Sequence, residues 1–347
     1  MKRWILTIFA LFAGVSVFAA DDIGARMAFL EKNAPYLAKV YVAFAVNTPQ
    51  GQGTNYGSGS GFLYIDEKNR CGIYTNSHVL GPSTTRNVNV VFDGQKDAQK
   101  SRVISRDPVF DLALVECPPS LPNGMVSAKL GTADDIWVGQ SVYAAGYPFG
   151  VRSVTYGLIN SIDSPAGPQF FVNQTPLSPG NSGGPLFAFT DMGEPVIIGI
   201  NTAGALKGFQ SHTIHISHIR KLLPRLWDGE SMVLHGALNM WWENVRDVNP
   251  AQFEAATNTP YPPLRSDGLV VLAVQRGSSA GFADIQPGDI IVGMKQDGAD
   301  ITFSNAREFF IEIVTRKPGD TVELTILRKG ESLQKTVKLD EFVVEPE

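Results

Sequence analysis

A serine within a glycine-rich run is the first residue of this sequence that could do chemistry. Ser182 lies in the run Pro179–Pro185, which reads PGNSGGP. A serine hydroxyl attacks only when a neighbouring base takes its proton, and the oxyanion that follows needs fixed hydrogen-bond donors. Glycine at position 180 would let the backbone turn so that the amides of Gly180 and Ser182 form this oxyanion hole. The alternative interpretation is a glycine-rich turn between two strands.

A histidine and an aspartate supply the other two groups that such a serine needs. His78 follows the apolar run Gly72–Thr75, at the expected end of a strand. Asp111 begins an apolar run, so its carboxylate would enter a buried site, fix the tautomer of His78 and stabilise the imidazolium that forms during attack. Asp107 is a competing carboxylate, but it precedes a proline and is typical of a turn. The order histidine, aspartate, serine is that of chymotrypsin and differs from those of subtilisins and α/β-hydrolases.

The remaining histidines and the overall charge favour neither a metal nor a nucleic acid. His212, His215 and His218 lie close together, but no carboxylate or cysteine stands at ligand spacing beside them. We therefore predict no metal site and no cofactor. The net charge is −5 and the basic residues are scattered, so no patch for nucleic acid or lipid headgroups is expected.

The amino-terminal segment has the composition of an export signal. Lys2 and Arg3 precede an apolar run from Trp4 to Val17, and small residues follow. This pattern predicts a cleavable signal peptide over residues 1–20. The alternative is a membrane anchor, but the run is shorter than the ~20 residues that a spanning helix needs. The expected location is therefore outside the cytoplasm, in a bacterial periplasm.

Two units with different patterns follow the signal. From Ala34 to about Ile219 the sequence alternates short apolar runs with Gly, Pro, Asn and Ser, which predicts a β-barrel or sandwich. Short helices are expected before it, at Gly24–Lys32, and after it, at His218–Trp227. Beyond residue 229 the pattern predicts a small α/β unit with strands near 268–275 and 290–294, a helix capped by Ser304, and a hairpin around Lys329-Gly330.

Together these motifs resemble the HtrA/Deg family of trypsin-like serine proteases with one C-terminal PDZ domain. The resemblance covers nearly all of the chain after residue 20, and its further segments are Gly146–Gly150, Thr155–Ile159, Gly199–Ala203, Gly277–Ala280 and Gln286–Ile290. It implies a mainly β fold, with a chymotrypsin-like double β-barrel protease domain over residues 21–229 and a small α/β PDZ domain over residues 230–347. It also implies an endopeptidase that cleaves unfolded or damaged exported proteins, and a homotrimer.

The resemblance assigns residues to two binding sites. Substrate binding is assigned to Leu177, Asn201, Ala203, Gly204 and Ala205, of which Leu177, Gly204 and Ala205 form the pocket walls. The pocket floor falls on Pro176, where no carboxylate stands, so cleavage after apolar residues is expected rather than after Arg or Lys. In PDZ domains a peptide adds as a strand and a preceding loop holds its carboxylate. That loop is assigned to Arg265–Leu269, with Gly268 and Leu269 as binding residues.

Two departures from the family and two other functions bear on this interpretation. The stretch Gln174–Ser178 lacks the aspartate and small residues that often precede the serine loop. Asn181 replaces the aspartate that zymogen-activated relatives pair with a new amino terminus, so activation by propeptide cleavage is not expected. The alternative function is a non-hydrolytic chaperone or peptide-binding scaffold on the same fold. The order of the triad gives no support to an esterase.

Cys71 and Cys117 are the only cysteines of the chain. In an antiparallel pair, opposed residues have position numbers with a constant sum, and this sum differs by only one between His78/Asp111 and Cys71/Cys117. The two strands are neighbours in chymotrypsin-like barrels, so the cysteines should meet at the far end of the pair. An oxidising compartment would allow a disulfide there. The alternative is two buried thiols that act as small hydrophobic side chains.

Overall fold

The computed structural model describes residues 22–34, 36–48, 51–82, 85–204, 210–229, 231–257, 260–261 and 267–343. The predicted signal, residues 1–20, lies outside these ranges. Within them, no helix combines the length and the apolar character that a membrane span requires. The first described element is helix α1 (Ile23–Asn33), where Asp22 accepts a hydrogen bond from the amide of Ala25 and so caps the helix.

Six antiparallel strands close a first barrel. They are β1 (Leu37–Thr48), β2 (Gly51–Ile65), β3 (Cys71–Thr75), β4 (Asn87–Phe92), β5 (Gln99–Asp107) and β6 (Leu112–Glu116). Their order around the barrel is β1-β2-β3-β6-β5-β4, and β4 pairs with β1 to close it. In β4, Val88, Val90 and Phe92 are buried while the residues between them are more exposed. This period of two places one face of the strand in the core.

A second barrel repeats this topology. Its strands are β7 (Ser141–Gly146), β8 (Ser153–Ser161), β9 (Phe170–Asn173), β10 (Pro185–Phe189), β11 (Pro195–Gly204) and β12 (Ser211–His215). Their order is β7-β8-β9-β12-β11-β10, the same as in the first barrel. Helix α2 (Ile216–Leu226) follows β12 directly and buries Ile219, Leu222 and Leu226. Spacings of three and four residues put these three side chains on one face of the helix.

The remaining chain forms a smaller sheet with helices. Its strands are β13 (Gly236–Ala237), β14 (Met240–Asn244), β15 (Leu269–Val274), β16 (Ile290–Gln296), β17 (Ala299–Ile301), β18 (Thr321–Arg328), β19 (Glu331–Lys338) and β20 (Asp340–Glu341). Its helices are α3 (Pro250–Thr257), α4 (Ser279–Phe282) and α5 (Ala306–Val314). The main sheet runs β14-β15-β16-β18-β19, so β14 lies at its edge. The predicted fold class, two β-barrels followed by a small α/β unit, is confirmed.

The start of α5 differs by one residue from the prediction. Asn305, not Ser304, is the N-cap, because its side chain accepts a hydrogen bond from the amide of Glu308. The amide and hydroxyl of Ser304 instead donate to the carboxylate of Glu308 at 2.7 and 2.9 Å. The two residues share the capping interactions, and the pattern alone does not distinguish between them.

The α/β unit docks on the barrels through charged side chains that lie in α2 and α5 or just after them. Lys221 pairs with Glu312, and Lys317 pairs with Asp228 at 2.9 Å. From α5, the Arg307 guanidinium donates to the carbonyls of Pro168 and Phe170 and to the carboxylate of Asp163. Arg307 therefore ties the helix to residues 162–170 of the second barrel.

Cys71 and Cys117 form a disulfide, with Cα atoms 5.6 Å apart. The bond closes the far end of the β3–β6 pair, in which Gly72 faces Glu116 and Thr75 faces Ala113. The closed loop spans 46 residues and contains both His78 and Asp111. A cross-link of this length restricts the unfolded chain and stabilises the fold.

We expect no free thiols when the oxidised protein is denatured without reductant and titrated with a thiol reagent. Replacing both cysteines by serine should lower the free energy of unfolding by about 2–4 kcal/mol, because the unfolded chain gains freedom. The reduced wild-type protein is the matched control and should be as stable as the double variant. Two titratable thiols per chain would contradict the disulfide.

Candidate active site

His78 begins a single 3₁₀ turn, which two residues separate from the end of β3. The turn covers His78–Leu80. Hydrogen bonds hold the two residues at the end of the strand. Thr75 donates to the carbonyl of Ser60, and the Asn76 side chain donates to the carbonyl of Asp111 at 2.8 Å. The His78 side chain is 51 % exposed. The backbone that leads to His78 is thus held in place, while about half of the His78 side chain stays accessible.

Asp111 lies in the turn between β5 and β6 with φ of 53°. A left-handed conformation of this kind costs a non-glycine residue about 1–3 kcal/mol and persists only where the surroundings enforce it. Three donors face its carboxylate: the His78 amide at 3.0 Å, His78 Nδ1 at 2.8 Å and the Thr202 hydroxyl at 2.5 Å. These contacts hold both the carboxylate and its turn.

The contact with Asp111 changes the protonation behaviour of His78. Partial burial of the ring lowers its pKa, but the hydrogen bond and the charge of Asp111 outweigh this effect and raise the pKa above the ordinary value of 6.5. An imidazolium at this position is therefore stabilised. This property suits a base that must hold a proton during a reaction.

The segment around Gly180 is built so that only glycine fits. Gly180 has φ of 106°, and a Cβ atom there would lie 2.4 Å from the carbonyl oxygen of Tyr147. The carbonyl of Pro179 accepts from the amide of Phe149 at 2.9 Å, and the carbonyl of Gly180 accepts from the Ser60 hydroxyl at 2.7 Å. Because C=O and N–H point in opposite directions across a trans peptide, these bonds direct the Gly180 amide away from Phe149.

Ser60 is a residue that sequence reasoning missed. It lies in β2, is fully buried, and donates its amide to the carbonyl of Ser182 at 2.7 Å. Its hydroxyl also accepts from the amide of Tyr147 at 2.8 Å. Ser60 therefore joins the first barrel to the loop of Ser182. The run Gly57–Gly61 (GSGSG) was the available signal, since small residues allow such a close approach.

Thr202 was also missed, and it contacts two of the predicted triad residues. Its hydroxyl donates to Asp111, while its carbonyl accepts from the Ser182 hydroxyl at 2.8 Å. Asp111 and Ser182 thus meet at one residue of β11, and His78 joins them through its contact with Asp111. The Ser182 hydroxyl points at Thr202, so it must rotate before it can donate to His78.

The assigned pocket residues have different positions. Leu177 is half-buried against the core of the second barrel. The structure contradicts a pocket role for the Asn201 side chain, which is fully buried and bonded to the carbonyl of Pro185 and the hydroxyl of Thr213. The backbone of Asn201 instead holds the amide of Gly183 at 2.8 Å. Ala203 and Gly204 end β11, where they pair with β12. Ala205 lies outside the described residues.

The three neighbouring histidines have structural surroundings. His215 accepts from the amide of Ser217 and caps α2. Burial lowers the pKa of His215 to about 4 and lowers that of His218 well below its ordinary value. The rings of these two residues lie 5.2 Å apart. His212 contacts the hydroxyl of Ser164 at 2.9 Å. The two imidazoles on α2 and its cap are therefore neutral near pH 7.

A second candidate site is an apolar groove between β14 and α5. Its volume is about 430 Å³. The residues that line it include Leu238, Trp242, Ala306, Arg307 and Phe310. Since β14 is an edge strand, its outer backbone groups are available to an added strand. The segment before β14, from Gly236 to Asn239, also lines the groove.

The structure contradicts the assignment of the peptide carboxylate loop to Gly268 and Leu269. Leu269 belongs to β15, which pairs with β14 on one side and β16 on the other. A strand paired on both sides cannot receive a peptide. Of the remaining residues of that assigned loop, Arg265 and Ser266 lie outside the described residues. The loop that precedes the edge strand is Leu238-Asn239, in which Asn239 has φ of 51°.

Two family models match the chain. The model of the trypsin-like peptidase domain matches residues 59–200, and the model of the PDZ domain matches residues 245–339. Among solved structures, the HtrA-type protease AlgW with a decapeptide superposes with a TM-score of 0.67 at 22 % identity, covering 91 % of this chain and 98 % of that one. This likeness concerns the fold.

Curated relatives extend over both units. Serine protease Do-like HtrA of Bacillus subtilis is 26 % identical over 85 % of this chain and 66 % of its own length. HhoA of Synechocystis sp. is 31 % identical over 81 % of this chain and 70 % of its own length. A DegP-like relative from Halomonas elongata, described as periplasmic, is 28 % identical over 82 % of this chain. The chain spans only 56 % of that relative.

Replacing Asp111 by asparagine should lower the pKa of His78, because asparagine removes the charge and changes the hydrogen bond that raise it. The measurement is a pH titration of isotope-labelled histidine by NMR. Asp134→Asn, at an exposed aspartate, is the matched control and should leave the titration unchanged. An unaltered His78 pKa in Asp111→Asn would contradict the described pairing.

Proposed function

Because the chain belongs to the HtrA family of serine endopeptidases, with one trypsin-like peptidase domain and one PDZ domain, we propose that it cleaves unfolded or damaged exported proteins through His78, Asp111 and Ser182. One observation carries the proposal: Thr202 contacts the Asp111 carboxylate with its hydroxyl and the Ser182 hydroxyl with its carbonyl. A histidine paired with that carboxylate at 2.8 Å completes the set needed to activate a serine.

The proposed reaction begins when the Ser182 hydroxyl turns from Thr202 towards His78. Nε2 of His78 takes the hydroxyl proton as the oxygen attacks a peptide carbonyl, and Asp111 bonds the proton on Nδ1 and stabilises the imidazolium. His78 then gives its proton to the leaving amine, and an acyl group remains on Ser182. Water, activated by the same histidine, releases the acyl group and regenerates the hydroxyl.

The amides of Gly180 and Ser182 are the proposed donors to the oxyanion. The carbonyls of Pro179 and Asn181 share peptide planes with these two amides, and they accept from the amides of Phe149 and Gly184 at 2.9 and 3.0 Å, which fixes both planes. Donors held in place before the reaction stabilise the developing charge without a cost of reorganisation. Losing one such donor typically slows turnover by about 10²–10³-fold.

The pocket next to Ser182 is proposed to accept apolar side chains. Position 176, six residues before the nucleophile, is an exposed proline, and Leu177 beside it is half-buried. Neither carries charge, so a basic side chain would lose its hydration there without gaining a partner. We retain Leu177, Gly204 and Ala205 as proposed walls of this pocket.

The groove between β14 and α5 is proposed to bind the carboxyl-terminal segment of another polypeptide. An extended peptide would pair with the edge strand β14, and backbone amides of Leu238-Asn239 would face its carboxylate. Arg307 lines this groove and also bonds the carbonyls of Pro168 and Phe170. Binding in the groove would therefore affect residues 162–170 of the protease, so we propose a regulatory role for it.

Export and self-association complete the proposal. The composition of residues 1–20 and the periplasmic description of a DegP-like relative support export to a periplasm. Phe149 and Val151 are 78 % and 70 % exposed on the second barrel. Neighbouring apolar side chains exposed in this way are common at protein interfaces and support self-association, while the number of three subunits follows only from the family resemblance.

Replacing Ser182 by alanine should abolish cleavage of casein, with a loss of roughly 10⁴–10⁶ in rate, because the nucleophile is removed. The thermal unfolding midpoint of this variant should match that of the wild type. Fragments of the wild-type digest, mapped by mass spectrometry, should end mainly in apolar residues. More than a few per cent residual cleavage would refute the assignment of Ser182, and fragments ending mainly in Arg or Lys would refute the apolar pocket.

Peptide binding is best measured by calorimetry on the full-length Ser182→Ala variant, with peptides that end in apolar residues. Phe310→Ala should weaken binding by roughly 10-fold or more, because a buried aromatic contributes about 1.5–3 kcal/mol. Phe282→Ala is the matched control, since Phe282 is 84 % exposed outside the groove. Peptides should also alter casein cleavage by the wild type but not by Arg307→Ala. Equal affinities in both phenylalanine variants would contradict the groove.

A further inference from the structure

A buried histidine from the segment after α2 contacts the strand that leads into Asp111. His235 and Asp107 are 1 % and 0 % exposed, and Nε2 of His235 lies 2.8 Å from an oxygen of the Asp107 carboxylate. The other ring nitrogen, Nδ1, lies 2.6 Å from the carbonyl of Val314, the last residue of α5. The ring thus bridges the end of β5 and the end of α5.

Both neighbours of the His235 ring are acceptors. A neutral imidazole carries one N–H and can donate only one hydrogen bond. The His235 ring and the Asp107 carboxyl group must therefore share protons so that both contacts are hydrogen bonds. Removing either partner would leave an uncompensated polar group in the interior.

Asp107 in turn shapes the turn that carries Asp111. The oxygen that faces His235 also accepts from the amide of Phe110 at 3.0 Å, which closes a turn between β5 and β6. The Phe110 ring is buried and lies 5.5 Å from the His235 ring. His235 therefore touches both ends of the turn, and Asp111 follows Phe110 directly. The left-handed backbone of Asp111 depends on such support.

The residue before Asp107 supports the turn of His78. Arg106 is 2 % exposed, and its guanidinium faces four carbonyls, at 2.8–3.4 Å, that belong to Ser77, Leu80, Gly81 and Thr85. The carbonyl of Arg106 accepts from the amide of Val233 at 2.7 Å. The segment Val233–His235 thus contacts both Arg106, which supports the turn of His78, and Asp107, which supports the turn of Asp111.

We propose that His235 is a positioning residue for Asp111, acting through Asp107 and Phe110. The segment that connects the protease to the PDZ domain is then part of the support of the active site. Val314 belongs to α5. The bond between His235 and the Val314 carbonyl therefore connects this helix of the PDZ domain, through His235 and Asp107, to the turn of Asp111. The expected change in turnover rests on the proposed function, whereas the expected change in the position of Asp111 relative to His78 does not.

The test compares His235→Ala with the wild type in two ways. Turnover per active site, counted with a serine-directed inhibitor, should fall about 10–100-fold with little change in KM, because a misplaced aspartate affects the chemical step. The pKa of His78, followed by NMR, should fall, because Asp111 no longer faces the ring correctly. His235→Gln, whose amide can still donate to Asp107, should recover part of both effects.

Two further variants make the result specific. His218→Gln is the matched control, since the His218 ring also lies near Phe110, with centroids 6.1 Å apart, whereas the ring that bonds Asp107 is that of His235. It should change turnover by less than about twofold. Substitutions at independent sites have additive effects, so a departure from additivity measures the coupling between two residues. In an Asp107→Ala background, His235→Ala should cause almost no further loss.

The proposal is overturned if His235→Ala or, should that variant not fold, His235→Gln lowers only the thermal midpoint and leaves turnover per site and the His78 pKa unchanged. Fully additive losses in the Asp107→Ala background would also overturn it. An inactive wild-type protein would refute the proposed function alone, since the His78 titration needs no turnover.

Discussion

The carboxylate of Asp111 is the group on which the arrangement of this protein depends. Only 20 % of its side chain remains exposed, and a charge removed from water must be compensated by hydrogen bonds and opposite charge. Its donors come from the turn of His78 in the first barrel and from Thr202 in the second. The two barrels must therefore be positioned so that the donors from His78 and Thr202 both reach the Asp111 carboxylate. The left-handed turn of Asp111 is maintained because all of these contacts act together.

The first barrel meets this requirement through the register of two strands. Because Thr75 faces Ala113, the residues that follow β3 and precede β6 emerge side by side, and the disulfide closes the opposite end of the pair. The second barrel contributes the Ser182 loop, which Ser60 of the first barrel holds by its amide and hydroxyl. Beneath the turns, Arg106 and Asp107 carry the connection to the PDZ domain. The active site is thus assembled from local turns that distant segments stabilise.

Much of this could be predicted from local patterns. The motifs of the three proposed catalytic residues occur in short runs, and the strand arithmetic for Cys71 and Cys117 needed only position numbers. The failures involve interactions that local patterns do not encode. The resemblance assigned Leu269 to a peptide loop although the apolar pattern placed it at the start of a strand, and the order of strands puts β15 inside the sheet. Asn201, Ser60 and Thr202 act through partners 12 to 122 residues away, and no periodicity marks such contacts.

Labelling by a fluorophosphonate probe tests the central claim most directly, because the probe reacts with a serine only when a base activates it in a formed oxyanion hole. The account predicts one adduct per chain, located on Ser182 by mass spectrometry and lost in His78→Ala. Absence of an adduct at every pH, with and without an apolar carboxyl-terminal peptide, would contradict it. Such a result would favour a peptide-binding scaffold on the same fold.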